Sequence, residues 1–535
     1  MSFLSLTTPN NASMPFELRW DDPADATYVW NRYMGGPVTR FYEDAVAAMY
    51  VAKRRCYEET GVPNSRGHLF RVIDGWVFNR EPGDLTGADE RAERFRNDAM
   101  AVEGDYYEVV LRPEVVALVE RLRKHPKPTA PYPELITHLE ECVQAHARVM
   151  GDLHWRMTFS WERLDWPATF HELTGEPAGQ ASVLLSGART ELSKVIKRLC
   201  ALAEIAQSDE ALRHAVETRD VRKLRGHPDN ATFRKFRTSF RTLLRRYGQR
   251  TGQGWGSAAP MGAPTWNMRP DIPLGMIATY ARSDLSAFKT REKAAADERQ
   301  RLLQRVQRSM RNDPERRSRF ERARRRAIRT AHVMEDHNHW MDQCSAGIMR
   351  EALDVVGKRL VLDGRIDSAD DAMHVSLDEL RTPPDDLRTR ISDRARRFAE
   401  QETFDPPKKI GSGDAPKQPS LEDEGQGLDG SLLRGVAASA GRYTGRARVW
   451  PKIVDTPEVD DGDILVAPDA GPAWTPVFAV LGALVLDRGA SFQHAAVVAR
   501  EYGIPAVLGT QEATTAIRDG QTITVDGNTG VVELA

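Results

Sequence analysis

Gly489-Ala-Ser-Phe-Gln-His-Ala-Ala-Val-Val-Ala-Arg-Glu-Tyr-Gly-Ile-Pro-Ala-Val-Leu-Gly509 carries one histidine, His494, where a loop of small residues becomes a helix. Ser491 is placed to cap that helix, Ala495 to Tyr502 carry the helical pattern, and Gly503 with Pro505 end it. A helix N-terminus offers backbone N–H groups and a partial positive charge, which suit a phosphoryl group. An imidazole nitrogen at that point can take up a phosphoryl group and release it again. Ala495 and Ala496 leave room for a bulky donor or acceptor to approach. The alternative is an ordinary core or surface histidine.

Around this stretch the motifs fall in a fixed order. Leu433 to Val449, with Gly435, Gly441 and Gly445, reads as an opening strand pair. Gly462-Asp-Ile-Leu-Val-Ala-Pro468 and Pro472-Ala-Trp-Thr-Pro476 follow, and Val525-Asp-Gly-Asn-Thr-Gly-Val531 reads as a closing hairpin. This order resembles the phosphohistidine domain of the phosphoenolpyruvate-utilizing enzymes. The chain departs from that pattern at Gly489-Ala490, where the family usually has Gly-Gly, and at Gln493, where it usually has Ser, Thr or Cys. Gln493 leaves no hydroxyl for the regulatory modification found in some dikinases. The resemblance implies that His494 carries the phosphoryl group and that Gly489, Ser491, Gln493 and Arg500 hold it.

The chain has 535 residues, enough for two to four domains. Lys and Arg total 75 against 77 Asp and Glu, a formal charge of −2, which gives no drive toward nucleic acid or membrane. Cys56, Cys142, Cys200 and Cys344 are far apart and read as reduced thiols of a cytoplasmic protein. Met1 to Pro15 lacks the pattern of a signal peptide, and no apolar run is long enough to span a bilayer.

The fold expected is multidomain α+β. A mostly helical substrate-binding body over residues 16–400 precedes a flexible linker at 401–431 and a small α/β phosphohistidine (swivelling) domain at 432–535. The linker assignment rests on its Pro, Gly, Lys and Asp content, which cannot bury a core. Leu69 to Ile73 and Trp76 to Asn79 read as strands joined by an Asp74-Gly75 turn. Leu302, Leu303 and Val306, then Phe320, Ala323 and Ala327, form an apolar stripe at helical spacing. The arginines between them, Arg324 to Arg326 included, read as a solvated face.

Phe16 to Trp30, Tyr247-Gly248, Trp255, Pro264-Thr-Trp266 and Arg269-Pro270 resemble the substrate domain of rifampin phosphotransferase and its relatives. The order from Glu335 to Leu380 resembles the helical region of phenylphosphate synthase-like and 4-methylbenzyl phosphate synthase-like proteins. Within it lies the densest group of possible bases, Glu335-Asp336-His337-Asn338-His339, followed by Trp340. His337, His339 or Glu335 could take the proton of an attacking hydroxyl, while Asp336 and Trp340 would line its pocket. On an α-helix Glu335, His339 and Asp342 would share one face. A metal pair from Glu335 and His339 and a buried polar network are the other readings. The second candidate is His154, Trp155, Phe159 and Trp161, an aromatic pocket or plain core.

No segment resembles an ATP-grasp domain or a Gly-x-x-x-x-Gly-Lys-Ser/Thr phosphate loop. The layout therefore resembles the histidine-bearing subunit of a two-component phosphotransferase. That resemblance implies a separate ATP-grasp subunit, Mg2+ with its ATP, no permanently bound cofactor, AMP and phosphate as products, and a small aromatic alcohol, phenol or cresol as acceptor. An antibiotic phosphotransferase lobe and a non-catalytic regulatory protein are the alternatives.

Overall fold

In the computed structural model, helices dominate from Arg40 to Glu402 and a mixed sheet follows. The structure describes residues 29–32, 36–62, 69–80, 86–103, 105–160, 165–185, 190–225, 230–251, 262–403, 406–407, 409–411, 427–429, 431–450, 459–470, 475–489 and 494–534. They form two compact units. One holds the described residues within 1–162, 255–264 and 340–418, the other those within 163–254, 265–339 and 419–535. Most of the segment read as a linker, 412–426 included, Phe16 to Tyr28 and Trp255 lie outside the described residues.

The first unit is built on the helices Arg40–Thr60, Tyr132–Arg148 and Ser345–Leu362. Beside them lies a four-stranded antiparallel sheet, in the order Leu69–Ile73, Trp76–Arg80, Trp30–Arg32, Lys409–Ile410. Its hairpin turns at Asp74 and Gly75, whose φ angles of 48° and 77° match the twist of the strands. Trp30, Trp76, Phe78 and Ile410 form its core.

In the second unit, Leu285–Ser309 and Pro314–His337 are consecutive helices. Asp313 accepts from the Arg316 N–H and Pro314 opens the second helix, where its missing N–H costs nothing. The apolar stripe is buried at Leu302, Val306, Phe320 and Ala327 against Trp166, Phe170 and Leu173. The arginines between pair outward with acids, as Arg305 does with Glu176 and Arg319 with Glu172.

Residues 427–534 form a nine-stranded sheet. Its order is Gly427–Asp429, Leu432–Arg434, Val531–Leu534, Thr522–Asp526, Arg442–Val449, Ile464–Ala467, Ala483–Leu486, Ala506–Leu508, Val436–Ser439. Pairing from Arg442–Val449 through Ala506–Leu508 is parallel; the rest is antiparallel. Ile464–Ala467 and Ala483–Leu486 are buried at every position, as a parallel sheet covered on both faces requires. The opening strands form as read, but they do not pair with each other. Leu432–Arg434 lies near one end of the sheet and Val436–Ser439 at the other, with only Gly435 between. A one-residue link across that distance requires a sheet curled until its ends approach. The Gly435 N–H donates to Gly530 O at 2.9 Å, extending the pairing of Leu432–Arg434 with Val531–Leu534.

The helix His494–Glu501 crosses from Ala483–Leu486 to Ala506–Leu508, the obligatory form of connection between parallel neighbours. Ala495, Ala496, Val498, Ala499 and Tyr502 are buried beneath it. Gly503 ends it at φ 62°. There the Ile504 N–H donates to Ala499 O at 2.9 Å and the Gly503 N–H to Arg500 O at 3.3 Å, the paired bonds of a Schellman stop. Replacing Gly503 by Ala forces a side chain into the left-handed region and should cost about 1–2 kcal/mol of unfolding free energy. Gly179→Ala, where the added Cβ meets nothing within 4 Å, should stay within about 0.5 kcal/mol. Urea unfolding of both variants checks the difference.

Candidate functional site

His494 is the first residue of the crossover helix, at the carboxyl end of the parallel strand Ala483–Leu486. In open parallel sheets that edge is where ligands gather, because loops open there and helix N-termini point to it. The His494 side chain, with Ser491 and Gln493, lies outside what the structure describes. The approach to it is described at Gly489, which takes φ 138°. A Cβ on Gly509 would stand 2.8 Å from Gly489 O, so the backbone there approaches Gly489 too closely for a side chain. Arg500 lies in the helix's last turn, at the end away from His494. Its Nε donates to Ala438 O at 2.6 Å, and burial pushes its pKa down to about 10. Arg500 thus straps the helix to the edge strand.

The domain bearing His494 shares its compact unit with helices of the body. Arg291 Nη2 donates to Ala479 O at 2.7 Å, tying the helix Leu285–Ser309 to the turn Thr475–Val480.

The base-rich segment sits where the α-helix Pro314–His337 widens into a π-helix, Asn338–Cys344. Wide turns of this kind recur at functional sites. The widening changes the expected faces, because α-helical spacing stops at His337. Asp336, His337 and His339 are all buried. His337 Nδ1 lies 3.0 Å from Val333 O. A carbonyl only accepts, so Nδ1 bears the hydrogen and the basic lone pair of the neutral ring is on Nε2. The Glu335 side chain lies outside the described residues.

His339 belongs to a polar cluster that sequence reading missed. Its ring packs edge-on against Tyr247, centroids 5.3 Å apart. The Tyr247 hydroxyl donates to Glu191 Oε2 at 3.1 Å, and Lys194 Nζ donates to Glu191 Oε1 at 2.7 Å. Arg246 approaches both Glu191 oxygens at 3.4 Å. Burial alone would raise the Glu191 pKa; the Lys194 hydrogen bond and the neighbouring positive charge reverse this and hold it at about 2. Burial, with the Arg250 charge, lowers His339 to about 3. At neutral pH the pair is therefore a carboxylate and an uncharged imidazole, and Lys194 and Arg246 carry the compensating charge. Glu191 opens the helix Glu191–Gln207 behind its Thr190 cap. By sequence that is the usual place of a solvated first-turn acid, so nothing marked it.

The remaining candidates lie in the first unit. The π-helix Val149–Leu153 separates the helix Tyr132–Arg148 from His154–Phe159. Trp155 is core, packed with Cys56, Val62 and Ala92, and Lys53 Nζ sits 4.2 Å from its ring centroid. His154 meets Trp155 edge-on at 5.6 Å. The Phe159 side chain and Trp161 lie outside the described residues. Trp340 is partly buried under the Arg112 guanidinium, 5.9 Å from its ring centroid. Burial raises Asp342 to about 8. Among the described residues no helix is long and apolar enough to cross a membrane.

Residues 459–530 match the family described as PEP-utilising enzyme, mobile domain. Residues 155–335 match the rifampicin phosphotransferase fourth domain. The chain thus combines the mobile domain of the phosphoenolpyruvate-utilizing enzymes, which contains His494, with a rifampicin phosphotransferase fourth domain, which contains Glu191 and Tyr247. It is 28% identical over 536 residues to a rifampicin phosphotransferase of Streptomyces sp, covering 92% of this chain and 58% of that one. It is 31% identical over 280 residues to the uncharacterized phosphotransferase YvkC of Bacillus subtilis, covering 50% and 33%. It is 27% identical over 577 residues to chondramide synthase cmdD of Chondromyces crocatus, covering 97% and 14%. The chain spans less than two thirds of the length of each of these relatives.

The shifted His339 makes the folded chain acid-sensitive in a defined window. Unfolded, its pKa returns to 6.5 from about 3. Between these values the unfolded chain binds a proton the folded chain refuses, so stability is full above pH 6.5 and falls as pH falls. Glu191, held at about 2 against an ordinary 4.5, adds a loss below pH 4.5. His339→Gln should therefore flatten the plot of unfolding free energy against pH between 6.5 and 4.5 by up to about 1.4 kcal/mol per pH unit. Urea titrations across that range check it.

Proposed function

We propose that this chain is a phosphotransferase that carries a phosphoryl group on His494 and delivers it to an organic hydroxyl. The observation that carries the reading is the position of His494, opening the crossover helix inside the residues matched as the mobile domain. An imidazole nitrogen attacks phosphorus, an N–P bond forms and the donor's P–O bond breaks. In the second half the acceptor oxygen attacks, the N–P bond breaks, and the hydroxyl proton passes to a base of the helical body. His337 and His339 are the bases we assign, since both are buried and His339 is uncharged at neutral pH.

The phosphoryl donor is ATP with Mg2+ on a separate ATP-grasp subunit: attack on the β-phosphorus expels AMP, and water then cleaves the γ-phosphoryl off as phosphate, leaving the β-phosphoryl on His494. The motif order of the sequence supports this division. For the acceptor, the fourth-domain match over 155–335 favours rifampicin or a related antibiotic. The order of motifs from Glu335 onward supports a simple phenol or cresol.

Incubating the chain with β-labelled ATP, Mg2+ and an ATP-grasp protein encoded beside it should place an acid-labile phosphate on the wild type and none on His494→Ala. Label persisting in that variant overturns the assignment. Offering rifampicin and 4-cresol to the phosphorylated chain separates the two acceptor classes. His337→Ala or His339→Ala should leave labelling of His494 intact and slow single-turnover transfer to the acceptor by ~10²-fold or more. Normal transfer in both would move the base elsewhere.

A further inference from the structure

Three donor side chains converge in the first unit. His138 and Cys142 are one turn apart on the helix Tyr132–Arg148 and so share a face. His125 lies on the connection between the helices Arg112–Leu122 and Tyr132–Arg148. His125 Nδ1 is 2.9 Å from His138 Nε2, and Cys142 Sγ is 3.6 Å from that same nitrogen. One donor atom from each residue lies within 4.8 Å of the other two. Cys142 is fully buried, and the His125 side chain is only 12% exposed.

We propose that His125, His138 and Cys142 bind a zinc ion, with Glu351 as the positioning residue behind His125. Glu351, on the helix Ser345–Leu362, holds Oε2 3.1 Å from His125 Nε2. A carboxylate there accepts the Nε2 hydrogen and leaves the lone pair on Nδ1, the nitrogen aimed at His138. That carboxylate–histidine arrangement is how metal-binding imidazoles are oriented and made more basic.

The spacing fits zinc. Tetrahedral bonds of about 2.0 Å to nitrogen and 2.3 Å to sulfur place two nitrogens about 3.3 Å apart and nitrogen from sulfur about 3.6 Å. The His138–Cys142 distance of 3.6 Å meets this as it stands. The two imidazoles need to part by only about 0.4 Å. Two imidazoles and a thiolate are a donor set suited to zinc and not to magnesium or calcium, which prefer oxygen. Three protein ligands leave the fourth position to water or a small anion. The ion would tie the connection, the central helix and, through Glu351, the helix Ser345–Leu362 into one node.

The test is a Co2+ titration of the metal-stripped full chain. Wild type should take up one equivalent, with a near-ultraviolet thiolate-to-cobalt band and tetrahedral visible bands that Zn2+ abolishes. Cys142→Ser should lose the thiolate band, while Cys200→Ser keeps it. Glu351→Gln should weaken cobalt affinity about 10–100-fold without changing the band positions. No thiolate band in wild type, or an unchanged band in Cys142→Ser, overturns the proposal. Should Cys142→Ser fail to fold, X-ray absorption of the zinc-loaded wild type decides. One sulfur at about 2.3 Å with nitrogens at about 2.0 Å supports the site, and a shell without sulfur overturns it.

Discussion

A parallel strand pair cannot be closed by a tight turn, and that constraint organises the domain bearing His494. Ala483–Leu486 and Ala506–Leu508 are neighbours in register, Leu484 opposite Ala506, and the chain must travel out and back between them. The return is the helix His494–Glu501, whose buried alanines let it lie close to the sheet. Its length, its Schellman stop at Gly503 and the Arg500 strap to Ala438 together set where its first residue falls. His494 thereby falls at the N-terminus of the crossover helix.

The curled sheet gives that helix a rigid base. Gly435 joins strands near opposite ends of the sheet order, so the covalent chain itself keeps those ends together. Twelve buried side chains, from Leu433 to Val532, fill its interior. A domain closed in this way holds its crossover helix whatever it packs against. In this structure it docks on the helical body through contacts such as Arg291 to Ala479 O.

Electrostatics in the helical body follow a different logic. Glu191 is stable as a buried carboxylate only because Lys194, Arg246 and the Tyr247 hydroxyl converge on it. Burial, with the charges of Arg250, Arg246 and Lys194, also keeps His339 uncharged at neutral pH. The cluster draws on residues 191 to 339, so the charge state of any one member depends on helices distant in the chain.

Local signals carried much of this protein in its sequence. The Asp74-Gly75 hairpin, the stripe from Leu302 to Ala327 and the helix ending at Gly503 are all consequences of nearest-neighbour stereochemistry and periodic burial. The reading of residues 432–535 rests instead on resemblance, on motifs that occur in order along the chain, and residues 459–530 match that family. Pairing of the opening strands, the two π-helical segments beside the candidate bases, and the Glu191–Tyr247–His339 cluster were settled only by tertiary structure. Strand partners are long-range choices that no local pattern encodes. A π-turn looks like α-helix to any 3.6-residue count. A buried glutamate differs from a solvated one only through the charges that folding brings to it.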